Sequence, residues 1–194
     1  MGKIVCLMGK SSTGKDTIYK KMLESGNIPF QRIVPYTTRP IRAGETEGQE
    51  YHFVDEAGFQ ALKVEGKIIE DREYHTIHGL WRYFTVDDEN IRAEEDYLLI
   101  GTLEAYVKLR DYFGENRMLP VLIELNDGVR LQRALTREMS QKQPKYEEMC
   151  RRFLADSADF SEEKIAEAGI GVRFENNDLD RCIAEIEKYI KANL

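Results

Sequence analysis

Two glycines and a lysine near the N-terminus have the spacing of a phosphate-binding loop. Four residues separate Gly9 from Gly14, and Lys15 follows directly. Glycines let the backbone turn tightly, so that successive N–H groups point into one concave nest, and a following helix adds partial positive charge. An ordinary strand-to-helix turn is the alternative. The candidate ATP-binding residues of the loop are Gly9, Lys10, Ser11, Ser12, Thr13, Gly14, Lys15, Asp16 and Thr17.

The residue after the loop lysine departs from the usual pattern. A Ser or Thr hydroxyl that touches Mg²⁺ is normal at this position, whereas this chain has Asp16 followed by Thr17. A carboxylate is a good hard-oxygen ligand, so Asp16 and Thr17 are the candidate Mg²⁺ ligands. The alternative is that Asp16 only favours the dipole of the helix, as an acidic residue in its first turn.

The elements around this loop alternate between strand and helix. An apolar run over 4–8 predicts a buried strand, and helical spacing predicts a helix over 15–24 that stops at Gly26. Further strands are predicted at 97–100, 120–125 and 172–174, and further helices at 103–113, 129–139 and 146–168, with a last helix from Asp178 to Ile190. This alternation predicts an α/β fold with a parallel sheet flanked by helices, and the loop at the carboxyl end of its first strand.

Two stretches interrupt the alternation. Residues 36–87 are rich in aromatic residues, Gly and Arg, with a predicted small sheet around 51–54 and a helix over 55–65 that Gly66 ends. We interpret them as an inserted substrate lobe. A second insertion is predicted around 136–145, where Pro144 separates two helices.

Composition excludes several classes of protein. The chain has 194 residues, enough for one domain, and its net charge of -7 argues against a general nucleic-acid partner. No apolar run is long enough to span a bilayer and no signal peptide is recognised, so we expect a cytoplasmic protein without a membrane partner. Cys6, Cys150 and Cys182 are expected to be free thiols, and His52, His75 and His78 are too scattered for a metal site.

Residues 37–54 resemble the signature of the guanylate kinase family, T-T-R-x-P-R-x-G-E-x-x-G-x-D-Y-x-F-V. The chain reads TTRPIRAGETEGQEYHFV, and it differs from the signature only in the order of Pro40 and Ile41 and in Glu50. The resemblance is expected to cover the whole chain. It implies a P-loop NTPase-type sheet with an inserted nucleoside monophosphate-binding lobe and a helical lid: core 1–34, 96–134 and 153–194, lobe 35–95, and lid about 135–152.

The resemblance also implies an acceptor site in the lobe. Arg39, Arg42, Tyr51 and Tyr83 would bind the acceptor phosphate, which suits paired guanidinium groups. Glu70 would accept hydrogen bonds from the guanine edge, and Thr85 would contact the base carbonyl; the alternative for Glu70 is an exposed acid at a strand end.

Two departures weaken the guanine assignment. Pro35 stands where the family has a serine, and Gly101 stands where it has an acidic residue. Asp71 or Glu73 could compensate for the missing acid.

Four residues of the C-terminal half complete the implied site. Arg133 and Arg137 are four apart on one helix face and, with Arg152, would close on the ATP phosphates. The alternative is that Arg130, Arg133 and Arg137 pair with Glu138 and Asp127 on a solvated helix. Asn176 would lie near the donor adenine, or else form a turn and helix N-cap.

The implied activity is an ATP-dependent kinase that phosphorylates GMP, with Mg²⁺ as the cofactor and Lys15, Arg39, Arg133, Arg137 and Arg152 as catalytic residues. We expect a monomer or a homodimer. Two alternatives are kept: a kinase of another phosphorylated acceptor such as a ribose bisphosphate, which Asp16 motivates, and a binding module of this family without catalytic activity.

Overall fold

The first of two β-sheets holds the predicted parallel strands. The computed structural model describes residues 1–42, 44–76, 79–87 and 91–194, so His78 lies outside the described residues. All strand pairs of this sheet are parallel. The order is β2 (Gln31–Arg32), β7 (Tyr97–Ile100), β1 (Ile4–Met8), β8 (Met118–Glu124) and β9 (Arg173–Glu175).

Strand β1 is central, and helices cover both of its faces. All five of its residues are fully buried. Val5 and Leu7 pack with helices α1 (Lys15–Ser25) and α7 (Leu179–Lys191), whereas Ile4 and Cys6 pack with α3 (Leu103–Phe113). Because successive residues of a strand point to opposite faces, an uninterrupted apolar strand is what a sheet covered on both sides requires. The predicted fold class, a parallel sheet flanked by helices, is confirmed.

A second sheet lies within the stretch that interrupts the alternation. Its order is β4 (His52–Phe53), β3 (Tyr36–Thr37), β6 (Gly79–Val86) and β5 (Ile68–Thr76), and α2 (Glu56–Val64) packs on it through Phe59. The predicted helix over 55–65 is confirmed, and the Asp55 carboxylate caps it by accepting from the N–H of Gly58 at 2.8 Å. The hairpin of β5 and β6 was not predicted from the sequence.

The helix predicted over 146–168 is wrong as a single element. The chain forms α5 (Tyr146–Asp159) and α6 (Glu162–Glu167), after α4 (Asp127–Met139). The break follows from two residues: Phe160 is buried in the core, and the Ser161 hydroxyl accepts from the N–H of Lys164 to start α6. The apolar residues keep helical spacing through this region, but the burial of Phe160 and the N-cap at Ser161 end one helix and start the next.

The remaining sequence expectations concern membrane spans and cysteines. Among the described helices, none is both long and apolar enough to cross a membrane. All three cysteines are free; Cys6 and Cys182 are buried and Cys150 is exposed. Burial raises the pKa of the Cys182 thiol to about 11, so this side chain stays protonated and packs as a small apolar group.

Candidate active site

The phosphate loop has the backbone that its glycines predict. Gly9 has φ 153° and Gly14 has φ 94°. A Cβ atom at Gly9 would lie 2.4 Å from the carbonyl oxygen of Ile123, and one at Gly14 would lie 2.4 Å from Nδ2 of Asn176. Ser12, with φ 66°, is the one non-glycine residue with positive φ in the described ranges. A side chain held in this region costs energy, and such strain concentrates at ligand-binding loops.

Lys15 and Asp16 begin α1 beside this loop. The Lys15 side chain is 18% exposed, and its Nζ lies 3.8 Å from Oδ2 of Asp16, whose side chain is 76% exposed. No group of three or more metal-ligating residues occurs within the part of the chain that the structure describes. An exposed carboxylate and the hydroxyl of Thr17 nevertheless fit Mg²⁺, because this ion is usually held by one or two carboxylates together with phosphates and water.

A buried arginine ties the loop to helices α4 and α5. Arg130 is fully buried; its Nε donates to the carbonyl oxygen of Ser11 at 3.0 Å, and its other nitrogens pair with Asp127 and Asp156. Asp156 in turn accepts from the N–H of Ser11 at 2.8 Å. The guanidinium also stacks over Phe153, 4.8 Å from the ring centroid. We call Ser11, Arg130 and Asp156 the loop anchor; apart from Ser11, the sequence analysis did not include them among the site residues.

The three predicted arginines of the C-terminal half lie differently with respect to the loop. Nη1 of Arg133 is 3.9 Å from the position of a Cβ at Gly14, and Nη2 of Arg152 donates to Oγ of Ser11 at 3.4 Å. Arg137 is exposed, and its guanidinium has no hydrogen bond or ion pair with any residue that the structure describes.

The alternative of arginines paired on a solvated helix is wrong for most of this set. Glu138 is buried and accepts from the backbone of Lys145 and the side chain of Gln141, not from an arginine. Arg130 does pair with Asp127, but as a buried residue.

Asn176 is hydrogen-bonded to the backbone of the phosphate loop. It is 2% exposed, and its Nδ2 donates to the carbonyl oxygen of Thr13 at 2.7 Å. Its Oδ1 is buried and has no partner among the described residues. Asn176 lies in a turn, as the alternative expected, but a helix N-cap is wrong for this residue, because Asp178 caps α7 by accepting from the N–H of Arg181.

Arg39 is held in place by Glu45. Its side chain is 3% exposed, and its two terminal nitrogens pair with the Glu45 carboxylate at 2.7 and 2.5 Å. Glu45 also accepts from the N–H of Arg42 at 2.8 Å. The paired hydrogen bonds raise the pKa of Arg39 above its ordinary value, and the hydrogen bond from Arg39 lowers the pKa of Glu45. Because such pairs are bidentate and directional, Arg39 is preorganised to bind two oxygen atoms of an anion, as in a carboxylate or a phosphate.

Aromatic rings surround these arginines. The rings of Tyr51 and Tyr83 are 5.5 Å apart, and Arg39 lies 5.1 Å from the Tyr51 centroid. Arg42 lies 5.9 Å from the ring of Trp81. Burial raises the pKa of the Tyr51 phenol, which therefore stays a hydrogen-bond donor at neutral pH. The predicted acceptor-phosphate residues Arg39, Tyr51 and Tyr83 are thus brought together, with Arg42 at their exposed side.

Glu70 and Thr85 meet across the β5–β6 hairpin. Glu70 is 2% exposed, which makes the alternative of an exposed strand-end acid wrong, and its Oε1 accepts from the Thr85 hydroxyl at 2.8 Å. Arg72 donates to the same carboxylate, from Nε at 3.0 Å and from Nη2 at 3.3 Å. Burial lowers the pKa of Arg72, but the charge of Glu70 and its hydrogen bonds raise it, and the net result is a pKa above the ordinary value. Sequence reasoning missed Arg72, although a spacing of two on a strand puts it on the face of Glu70.

The residues suggested to compensate for the missing acid lie on the other face. Glu73 is exposed and pairs with Arg82, which also pairs with Glu56 of α2 at 3.0 Å. Asp71 alternates with Glu70 and shares the face of Glu73. The suggestion that Asp71 or Glu73 replaces the second guanine ligand is therefore wrong for this conformation. Gly101 itself leaves no room for a side chain, since a Cβ there would lie 2.9 Å from Sγ of Cys6.

A glycine loop and lysine at the carboxyl end of a central parallel strand, beside a second sheet that carries arginines and tyrosines, define a P-loop nucleotide-binding protein. The family model described as guanylate kinase matches residues 1–92. The predicted resemblance to the guanylate kinase family is thus confirmed for the N-terminal part of the chain. The expectation that the resemblance covers the whole chain is not met by this family model, which ends at residue 92.

Curated relatives and a solved structure name the same family. A guanylate kinase of Nitrosomonas europaea is 32% identical over 100 residues, 51% of this chain and 48% of that protein. One of Mycolicibacterium paratuberculosis is 42% identical over 86 residues, 44% of this chain and 37% of the relative. The chain therefore spans half or less of the curated relatives that it matches. A crystal structure of guanylate kinase from Anaplasma phagocytophilum has a TM-score of 0.63 and 24% identity, covers 98% of this chain and 85% of its own, and shows the shared fold.

Proposed function

We propose that this chain is an ATP-dependent kinase that transfers the γ-phosphoryl group of ATP to the phosphate of GMP. The observation that carries the proposal is the pairing of an intact phosphate loop with a separate face on which Arg39, Tyr51, Tyr83, Glu70 and Thr85 come together. Phosphoryl transfer needs two phosphate sites and positive charge between them, and little covalent chemistry.

On the donor side, the loop and Lys15 bind the ATP phosphates. The loop backbone offers N–H groups at the start of α1, and Lys15 neutralises charge on the β- and γ-phosphates. Arg133 and Arg152, which lie near Gly14 and Ser11, stabilise charge on the γ-phosphoryl group, and the exposed Arg137 joins them when residues 135–152 close as a lid. Asn176 supports the loop near the nucleotide.

Asp16 and Thr17 would hold Mg²⁺ together with the ATP phosphates. The ion would supply charge neutralisation of the phosphate oxygens when bound. Asp16 contributes an exposed carboxylate that lies within 3.8 Å of Lys15, so the cation of Lys15 reduces the repulsion between this carboxylate and the phosphates.

On the acceptor side, Arg39 and Arg42 bind the monophosphate and the phenols of Tyr51 and Tyr83 donate to it. Glu45 occupies both terminal nitrogens of Arg39, so the incoming phosphate competes with a carboxylate for them. A phosphate oxygen of the acceptor attacks the γ-phosphorus, the bond to the bridging oxygen breaks, and the charge leaves with ADP. Glu70 and Thr85 bind the base.

Three further assignments belong to the same proposal. Residues 1–34, 96–134 and 153–194 form the core, 35–95 the acceptor lobe and 135–152 the lid. The protein acts in the cytoplasm, as a monomer or a homodimer, on nucleotides.

The test is release of ADP from ATP and Mg²⁺ with GMP, AMP, dGMP and sugar phosphates in parallel. We expect turnover with GMP and a kcat/KM roughly 10²-fold lower with AMP, the level that a single good polar contact supplies. Turnover with a sugar phosphate alone would contradict the acceptor assignment. ATP binding without turnover of any acceptor would support a binding module instead.

A further inference from the structure

Trp81 lies on the acceptor face of the second sheet, one step beyond Tyr83. Residues two apart on a strand point to the same side, so Trp81, Tyr83 and Thr85 share one face of β6. Across the hairpin, Trp81 pairs with Tyr74, whose ring centroid is 5.5 Å from that of Tyr83. The indole therefore borders the group of rings to which we assign the acceptor phosphate.

Arg42 lies over this indole. Its Cζ is 5.9 Å from the centroid of the Trp81 ring, within the distance at which a guanidinium and an aromatic ring attract each other. The two side chains line one groove together with Pro40 and Leu80. The backbone N–H of Arg42 donates to Glu45, but its guanidinium has no hydrogen bond or ion pair with any residue that the structure describes. The Trp81 ring is thus the contact that orients this guanidinium.

The two arginines of the acceptor site are held in different ways. Arg39 is buried, and its terminal nitrogens pair with Glu45. Arg42 is exposed, and a long side chain loses much rotational freedom when it binds an anion. A ring that already restricts the guanidinium lowers this cost, because the side chain is ordered before the ligand arrives. Since attraction to a ring requires no hydrogen bond, the N–H donors of Arg42 stay available for a phosphate.

We propose that Trp81 is a positioning residue that holds the Arg42 guanidinium, through a cation–π contact, in the place where it meets the acceptor phosphate. The proposal rests on the proposed kinase function and deepens it. Because Trp81 acts through Arg42 and touches no reacting atom, its loss should weaken the binding of the acceptor and leave phosphoryl transfer at saturating GMP unchanged.

The first test is the steady-state kinetics of Trp81→Leu. We expect KM for GMP to rise about three- to fivefold, the size of an exposed cation–π contact, with kcat and KM for ATP unchanged. Trp81→Phe keeps an aromatic face and should stay within about twofold of the unmodified protein. Leu80→Ala is the matched control, because Leu80 lines the same groove without an aromatic ring, and it should leave KM unchanged. An unchanged KM in Trp81→Leu, or an equal rise in Trp81→Phe, would overturn the proposal.

The second test separates a role through Arg42 from a purely structural role. In the Arg42→Ala background, Trp81→Leu should raise KM for GMP no further, because its partner is already absent and the two substitutions are not additive. The same rise in both backgrounds would overturn the proposal and show that Trp81 only supports the lobe. Absence of turnover with every purine monophosphate would overturn the kinase function and the role of Trp81 together.

The third test detects the contact without any turnover. Trp81 is the only tryptophan of the chain, so tryptophan fluorescence reports on this residue alone. In the ligand-free protein, Arg42→Ala should increase the quenching of this fluorescence by acrylamide, because the guanidinium no longer covers the ring. Arg181→Ala removes an exposed arginine of α7 and should leave the quenching unchanged. Equal quenching in Arg42→Ala and in the unmodified protein would overturn the role of Trp81 and leave the kinase function standing.

Discussion

The two halves of the chain build their parts of the site in different ways. Up to residue 92, the site consists of contiguous motifs, the phosphate loop and the signature over 37–54, and the guanylate kinase family model matches this stretch. Beyond residue 92, single arginines on α4 and α5 approach the loop, and the similarity to a solved guanylate kinase at 24% identity is one of fold. A loop that needs a particular backbone conformation restricts the residue types at several neighbouring positions, so it leaves a recognisable sequence motif. An arginine on a helix restricts the residue type only at its own position.

The loop anchor joins the two halves. Ser11 belongs to the phosphate loop, and Arg130 and Asp156 belong to α4 and α5 on either side of the proposed lid. These contacts hold α4 and α5 against the phosphate loop, and the arginines of both helices are thereby positioned next to it.

The largest effect is expected at the centre of the N-terminal half. Lys15→Ala should lower kcat by roughly 10²–10³ without unfolding the protein, because the side chain neutralises phosphate charge and takes no part in the core. Steady-state assays with ATP and GMP measure the loss, and thermal unfolding checks the fold.

Lys20→Ala is the matched control, since Lys20 is an exposed lysine of the same helix. It should keep normal turnover. Near-normal turnover of Lys15→Ala would contradict the assignment of the phosphate loop.

The next effect tests whether the halves are coupled through the loop anchor. Asp156→Ala removes one carboxylate from the fully buried Arg130 and the acceptor of the Ser11 N–H. Loss of one partner of a buried pair is strongly destabilising, and we expect the free energy of unfolding in urea to fall by roughly 3 kcal/mol. Asp127 stays as a partner of Arg130, which limits the loss.

Asp159→Ala is the control for this change. Asp159 ends the same helix, is exposed, and has no hydrogen bond or ion pair through its side chain in the described part of the chain. Its free energy of unfolding should change by no more than about 0.5 kcal/mol. Equal effects of the two substitutions would show that the anchor does not join the halves.

A third prediction separates the two phosphates that we assign to one arginine from each half, the acceptor phosphate to Arg42 and the ATP phosphates to Arg137. Arg42→Ala should raise KM for GMP roughly tenfold or more with little change for ATP, and Arg137→Ala should do the reverse, because each removes a charge-assisted hydrogen bond to one phosphate. Arg151→Ala is the control, since this exposed arginine pairs with Glu148. A defect of Arg42→Ala mainly in KM for ATP would move Arg42 to the donor site.

The fold was largely predictable because its strongest signals are local. The apolar run of β1, the glycines of the loop and the cap at Asp55 each specify structure within a few residues. The break between α5 and α6 was missed because helical spacing continues through it, and only the packing of Phe160 into the core explains it.

The sequence predicted most residues of the candidate acceptor site but not the hydrogen bonds between them. Glu70 and Thr85 were expected to act together, and they do meet. Arg72 was missed because the hairpin register that places it beside Glu70 depends on strand pairing over distant residues, which no short motif encodes. For the same reason Asp71 and Glu73 were considered as base ligands, although strand alternation puts them on the opposite face.

The smallest effect compares one ion pair from each half as the pH falls. Hydrogen bonds from Arg39 and Arg173 lower the pKa values of Glu45 and Glu162 respectively. A lowered carboxylate pKa gives stability that is present above the unfolded pKa and lost as pH falls through the folded one. The Glu45→Gln variant lacks this stability at every pH, and protonated Glu45 resembles glutamine. The difference in the free energy of unfolding in urea between the unmodified protein and the variant should therefore shrink from about pH 6 to about pH 3.

The exposed ion pair of the C-terminal half is the comparison. For Glu162→Gln we expect a smaller difference in the free energy of unfolding, and about 0.5 M NaCl should abolish it. The reason is that the side chains of Arg173 and Glu162 are 33% and 75% exposed, whereas Arg39 is buried. Equal, salt-sensitive differences for both variants would show that burial of Arg39 adds nothing, and that the pair in the acceptor site is no more preorganised than an exposed one.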